Sequence, residues 1–548
     1  MWSSSLSYAF FLVASLFVYF IAWPLVGYFR DPKGLRKFPN MSIFSGISSI
    51  PMMILAHTGA RSAYLTEMHK KYPVIRVAPN TLSYGDVRAI KDIYGHNTPC
   101  IKDPSYVLFS GSHFHLADVI DRTDHGRKRK VLSSAYAIKN LEQWEHKVAD
   151  KMSRIVKHFD QCCTAPLLPD EKEPVPKDVN LDFRAWMNFF TLDAISDIGL
   201  SDPLGFLDKG HSRTIARRTN GTQYEADMRD CLYKMAHKQS LLIWPYAWYP
   251  FLNKIADIIP FYGRMGKLHR QWEGIPLELA SRRLERYQRG DKLDDFFQAL
   301  MEDKSSVPNN LEWGEIVAEV SIMLNAGSVT TAIAIANAMF QLLKNPECLR
   351  KVRSEIDAAL DAEEDEDCKS TSGYYEDGVI AYDRLKHLPY LRACLDESLR
   401  LFPPTVHGLL RLTPPEGMRI ADDFIAGGVS VMMSALTAHR DPTIFPSPDK
   451  YIPDRWLGES GKSLQPYFLA FSAGARGCIG RNISYLEQTV AMGTLLRRYD
   501  FALKSPEWEI ERLETLNWIL GEMPVKIWRR MREKQQSNNR LPLGLAGP

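Results

Sequence analysis

Several features whose presence would sort this chain into a large class are missing. Only eight cysteines stand in 548 residues, scattered without a regular framework. That excludes a disulfide-stapled secreted fold and points to reduced thiols facing the cytosol. No C-x-x-C or H-x-x-H pair flanks Cys478, which excludes a zinc centre there. There is no G-x-G-x-x-G strand-turn-helix unit for a flavin or nicotinamide, so any electrons the protein uses come from outside the chain. The net charge is only +3. Lys and Arg are spread along the chain with no basic, aromatic-interleaved tract, and no nucleic-acid partner is expected. No internal repeat is visible.

Charge is also missing from Leu6 to Phe29. The run Phe10 to Trp23 is long and apolar enough to span a bilayer, and Arg30, Lys33, Arg36 and Lys37 follow it. The positive-inside rule keeps the chain after those cations in the cytoplasm. A cleaved signal peptide fits less well: there is no basic n-region, the apolar run is too long, and no small-x-small site precedes the cations. The expected layout is a single-pass anchor at 6–29, a basic and proline-containing hinge at 30–40, a globular part at 41–530, and a disordered, Asn/Gln/Pro/Gly-rich tail at 531–548. With 45% hydrophobic and 24% charged residues the globular part can bury a large core, and length alone suggests about three or four domains.

Met41 to Asn97 mixes a short helix with extended pieces and reads as a small sheet-containing lobe. Pro99 to Asp121 reads as a long loop, a kind of segment that is often functional. Thr164 to Asn180 is a proline-rich surface connection, and helical periodicity dominates from Leu181 to Arg289. Leu311 to Lys344 lacks proline and is apolar around much of its circumference. This predicts a buried helix of about 50 Å. In its middle, Ala326-Gly327-Ser328-Val329-Thr330-Thr331 forms a gap of small and hydroxylated residues, suited either to a bulky ligand or to close helix packing. Asp361 to Asp367 is a charge run, expected to be a solvated loop. Glu397 and Arg400 share one face of a helix starting near Leu388.

The most informative stretch is Phe471-Ser-Ala-Gly474-Ala-Arg476-Gly-Cys478-Ile-Gly480, a glycine-rich loop leading into a helix near Arg481. A thiolate is a strong metal ligand that needs amide donors or a helix N-terminus to stay deprotonated. Cys478 has both in sequence reach. The glycines let the backbone lie against something flat, Phe471 can shield the sulfur, and Arg476 can pair with an anion. A buried free cysteine in a turn is the plainer alternative. However, five fixed positions at this spacing coincide by chance in roughly one chain in ten thousand.

These residues resemble the haem loop of the cytochrome P-450 family of haem-thiolate monooxygenases. The resemblance runs from about Phe38 to Arg530 and implies a mostly α fold with a smaller β-sheet lobe, in one large domain. It implies haem b with Cys478 as axial iron ligand, and cofactor contacts from Phe471, Arg476, Gly480, His125, Arg129 and Arg411. His125 stands where the family more often has Trp. Thr330 matches the threonine that assists proton delivery. Val329 occupies the position of the family's acid, a departure that leaves the proton relay open to ordered water, Ser328, Asn325 or the substrate. Glu397, Arg400 and Arg455 match a buried triad supporting the haem loop.

The implied reaction inserts one oxygen atom from O2 into an apolar small molecule. Its electrons come from NADPH through a flavoprotein reductase, with a small electron-transfer haem protein as a further donor. Membrane lipid is an expected partner and the endoplasmic reticulum, catalytic domain facing the cytosol, the expected location. The motif spelling looks like fungal members, many of which act in secondary-metabolite biosynthesis. Two other readings stay open: a redox-independent haem-thiolate isomerase or dehydratase, and a non-catalytic haem sensor or ligand carrier.

Overall fold

The computed structural model describes residues 11–531 except 12–13, 16–17, 134, 138–141, 169, 172 and 365–377. Part of the expected 6–29 anchor, including residues 6–10, and the tail from 532 lie outside the described residues. So do positions 365–367 of the acidic run, whose first residue, Asp361, belongs to the helix Pro346–Glu364 and pairs with Arg497.

Seven helices position the site: α1 (Arg122–Ser133), α2 (Phe183–Leu200), α3 (Met228–Leu242), α4 (Pro260–Gln288), α5 (Trp313–Lys344), α6 (Pro389–Leu401) and α7 (Arg481–Arg498). The fold is mostly helical. Its sheet lobe has strands β1 (Val74–Ala78), β2 (Thr81–Tyr84), β3 (Ile101–Lys102), β4 (Arg411–Leu412) and β5 (Ser430–Met432), in the order β1-β2-β5-β4-β3. Only β2 and β5 are parallel, with Leu82 opposite Val431. β4 delivers Arg411, and β3 delivers Lys102 directly across from it.

α5 is the spine. It begins two residues later than the hydrophobic pattern predicts because Glu312 and Glu315 form a capping box at Trp313. It is also the one described helix long and apolar enough to cross a membrane, but it lies in mid-chain and much of it is buried in protein. At the N-terminal end, a π-helical turn at Val18–Ala22 leads into the helix Trp23–Arg30, none of whose residues is buried.

α5 packs most extensively on α2, whose start is capped by Asp182 accepting from Ala185 N–H. The closeness of the pair has a local cause. A methyl group on Gly327 would sit 2.7 Å from Ile195 Cδ1 of α2. Close helix packing therefore accounts for Gly327, while its neighbour Ala326 faces a cavity.

Candidate active site

Between α5 and the loop before α7 lies a cavity of about 350 Å3. One stripe of α5 lines it: Glu319, Ile322, Met323, Ala326, Gly327, Thr330, Thr331 and Ala334. Their spacing of three and four residues is that of a single helix face. On the other side are Phe471, Arg476, Gly477, Cys478 and Gly480.

Cys478 is open to this cavity, with protein packed densely around it. Its N–H donates to Phe471 O at 2.9 Å, closing the loop on itself. Burial pushes the thiol up, while the amides of Gly480 and Arg481 and the cations Arg129 and Arg481 favour the thiolate. Gly480 is the N-cap of α7, so the positive end of that helix adds to the same effect. Gly474 has φ +64, and a side chain there would meet Tyr94 O at 2.2 Å, so only glycine fits. Phe471 packs on Tyr485, with ring centroids 5.1 Å apart.

At one edge of the cavity cations gather with no carboxylate among them. Arg129 donates to Gly477 O at 2.9 Å, and Arg476 to Val119 O and Ile120 O at 2.7 and 3.0 Å. Arg411, 3% exposed, donates to Leu410 O at 3.0 Å and lies over the Tyr94 ring. Lys102 donates to Ala117 O. Burial, then Arg476, Lys102, Arg129 and Arg411, push His125 down to about 4, so all five groups converge. Burial and Arg411 also lower Arg476 to about 10. Burial and the neighbouring arginines hold Lys102 well below its ordinary range, so the positive charge that suits an anion here rests on Arg129, Arg411 and Arg476, whose backbone partners are carbonyls.

Below the loop, Arg400 holds Glu397 through Nε at 2.8 Å and Nη2 at 2.9 Å, and both residues are fully buried. Arg455 Nε (3.2 Å), Trp456 Nε1 (2.8 Å) and Ile452 N–H (2.8 Å) complete the shell of Glu397. The cluster reaches the cavity through His439. Its Nδ1 bonds Arg400 O at 3.0 Å, and its Nε2 accepts from Leu469 N–H at 2.8 Å, two residues before Phe471. His439 escaped the sequence reading, because it carries no spacing signal of its own.

Thr330 lines the cavity, and its hydroxyl donates to Ala326 O at 2.8 Å. Val329 does not line it. It is 4% exposed and packed in the main core, so the acid position of the family pattern points away from the lumen in this chain. Ser328 is also buried, bonded to Leu324 O, and neither it nor Asn325 lines the cavity.

The acid that does face the lumen is Glu319, the sole carboxylate among the described lining residues. It lies eleven positions before Thr330 on the same stripe, about 16 Å along the axis. Its Oε1 accepts from Leu116 N–H at 2.9 Å, pinning the loop before α1, and Lys128 Nζ lies 3.6 Å away. Burial raises its carboxyl to about 7 against the pull of Lys128. Counting back from Thr330 in threes and fours reaches Glu319, a signal the sequence did contain. Lys102 had no such signal, since it joins the cations only through the pairing of β3 with β4.

A lone thiol facing a lumen, amides and a helix N-terminus behind it, cations at one edge and an apolar helix face opposite define the site of a flat, anionic, metal-bearing cofactor. Among the described residues no three His, Cys, Asp or Glu side chains are grouped to hold a metal by themselves. A metal on Cys478 would therefore take its remaining ligands from the cofactor, and a haem with two carboxylates matches this donor set. The family model described as Cytochrome P450 matches residues 49–527, and the chain belongs to that family.

Its curated relatives include fungal proteins. It is 26% identical to Cytochrome P450 monooxygenase astJ of Aspergillus oryzae, over 88% of this chain and 90% of that one. With Cytochrome P450 monooxygenase atr2 of Stereocaulon alpinum the identity is 27%, over 90% of each. Benzoate 4-monooxygenase bphA of Aspergillus niger is 26% identical, over 86% of this chain and 88% of its own. The protein is a monooxygenase of the oxidoreductase class.

Proposed function

We propose that the chain is a membrane-anchored, NADPH-dependent monooxygenase of fungal secondary metabolism, acting on an apolar small molecule. Its domain layout would be the anchor (6–29), hinge (30–40), catalytic domain (41–530) and tail (531–548) read from the sequence. The observation that carries the reading is that Cys478 and Thr330 line one cavity. Bound there, haem b supplies reductive O2 cleavage, placing one oxygen atom in a C–H bond and the other in water.

The rest belongs to the protein. Cys478 would ligate the iron, and Arg129, Arg411, Arg476 and His125, joined by Lys102, would hold the cofactor's carboxylates. Phe471 and Gly480 would lie against its face. Thr330 Oγ1, anchored by its bond to Ala326 O, would hold a proton on the lumen side of α5. Glu397, Arg400 and Arg455 act as supports, through His439 and Leu469. Retention of Thr330 supports the monooxygenase over the redox-independent isomerase that the lack of an acid at Val329 permits.

Exposed apolar residues support attachment to a membrane, while the endoplasmic-reticulum location and the cytosolic face rest on the sequence reading. They include Trp23, Phe29, Ile43, Phe44, Ile258 and Phe261, and the Tyr19 ring packs on Trp248 at 4.7 Å. Electrons would come from a flavoprotein reductase, with a small electron-transfer haem protein as a second donor.

The test is NADPH-driven turnover of the anchored protein with a microsomal reductase, fed extracts of its source cells and followed by mass spectrometry. A product heavier by one oxygen only with NADPH is expected. Cys478→Ala should lose both this product and the reduced carbon monoxide spectrum of a thiolate-ligated haem. A normal spectrum in that variant would overturn the ligand assignment.

A further inference from the structure

Among the polar groups that line the cavity away from the cationic edge, two just before β4 present lone pairs. His407, between α6 and β4, lines the cavity, and its Nδ1 lies 2.6 Å from Leu516 O. A carbonyl only accepts, so Nδ1 carries the proton, and a neutral ring then has its free lone pair on Nε2. Nε2 makes no hydrogen bond among the described residues and is not sealed among the partnerless buried atoms. Burial and nearby Arg61 keep the ring neutral, pushing its pKa down to about 3. Arg61 is held by Glu514 Oε1 at 2.8 Å and Thr515 O at 2.7 Å, and its Nη1 is buried without a hydrogen-bond partner. Next to His407, Thr405 spends its hydroxyl proton on Asn517 Oδ1 at 2.7 Å, so it too offers only acceptor capacity to the lumen.

We propose that His407 Nε2 is a substrate-orienting acceptor, binding a hydroxyl or N–H donor on an otherwise apolar substrate and disfavouring a carboxylate at that point. A lone pair in an apolar wall gains from a donor and repels an anion, and an analogue without the donor leaves the nitrogen unpaired. The inference deepens the reading of the cavity as a monooxygenase substrate site and rests on it.

The experiment measures equilibrium binding of 2-naphthol, 2-methoxynaphthalene and 2-naphthoate to the haem-loaded full chain at neutral pH. The wild type is expected to hold 2-naphthol at least tenfold tighter than either analogue. His407→Leu should bring the three within threefold while leaving the affinity for 2-methoxynaphthalene within threefold of wild type. His407→Phe, which keeps a ring in place, serves if the leucine variant does not fold. Three outcomes overturn the proposal: 2-naphthol no tighter than its methyl ether, including no binding of either; naphthoate equal to naphthol; or an unchanged preference in the variant. Loss of the thiolate-type carbon monoxide spectrum in the wild type would instead overturn the haem-site reading.

Discussion

Replacing Glu319 by glutamine tests the electrostatics of the cavity without touching the thiol loop. Its carboxyl is raised from an ordinary 4.5 to about 7, chiefly by burial. Below pH 4.5 the group is protonated in folded and unfolded chains alike and has no effect. As pH rises, the unfolded chain gives up the proton first, so ionisation favours unfolding. The folded state loses stability until pH passes 7, where the effect levels off. At 1.36 kcal/mol per pKa unit, the full loss is about 3 kcal/mol.

Glu319→Gln removes this titration. Lys128, 3% exposed, keeps Glu315 as a partner at 2.7 Å in either form. Asp118, raised to about 7 by its own burial, titrates in both proteins and largely cancels in the comparison. The stability of the variant relative to wild type should therefore rise by about 3 kcal/mol between pH 4.5 and 7.5, about 3 °C in Tm for a chain of this length. Denaturant or thermal unfolding of the pair at pH 5, 6, 7 and 8 measures it. A difference that stays constant with pH would refute the buried placement of Glu319. One that falls with pH would show that its bond to Lys128 outweighs burial.

Val329→Asp would push a carboxylate into the core rather than into the proton path, and should lower stability by about 3 kcal/mol or more. Peroxide release per NADPH by the folded fraction should stay unchanged; a stable variant with altered release would show that position 329 reaches the lumen. Glu397→Gln leaves Arg400 and Arg455 buried without an anion and should cost about 3–5 kcal/mol. An unchanged unfolding midpoint would remove the triad from its supporting role. Deleting residues 1–29 should weaken but not abolish flotation with lipid vesicles, since Ile43, Phe44, Ile258 and Phe261 remain exposed. Complete solubility would rule out that second surface.

The parts of the site legible in the sequence are those whose chemistry is local. The Cys478 loop, the capped α5 and the Glu397–Arg400 face each depend on neighbours a few positions apart, where spacing and propensity carry the information. Arg411 and Arg129 were reached through family resemblance, but Lys102 meets them only by strand pairing, and Leu116 meets Glu319 only because a loop folds back on α5. Such contacts have no periodicity to detect.

The placing of Val329 follows from helix geometry instead. Adjacent helix positions differ by about 100° in direction, so a residue beside a lumen-facing threonine need not share its face: Thr331 lines the cavity and Val329 does not. Val329 is buried against the core while Thr330 and Ala326 open to the cavity. Proximity in a motif and proximity in space diverge most on a helix, where the acid that shares the threonine's face is Glu319, three turns away. An acid at position 329 could influence Thr330 only through the helix or its packing partners. On α2, Ile195 packs against Gly327, one turn from Thr330. The alternation of core and cavity faces along α5 places Thr330 and Glu319, and not Val329, on the lumen.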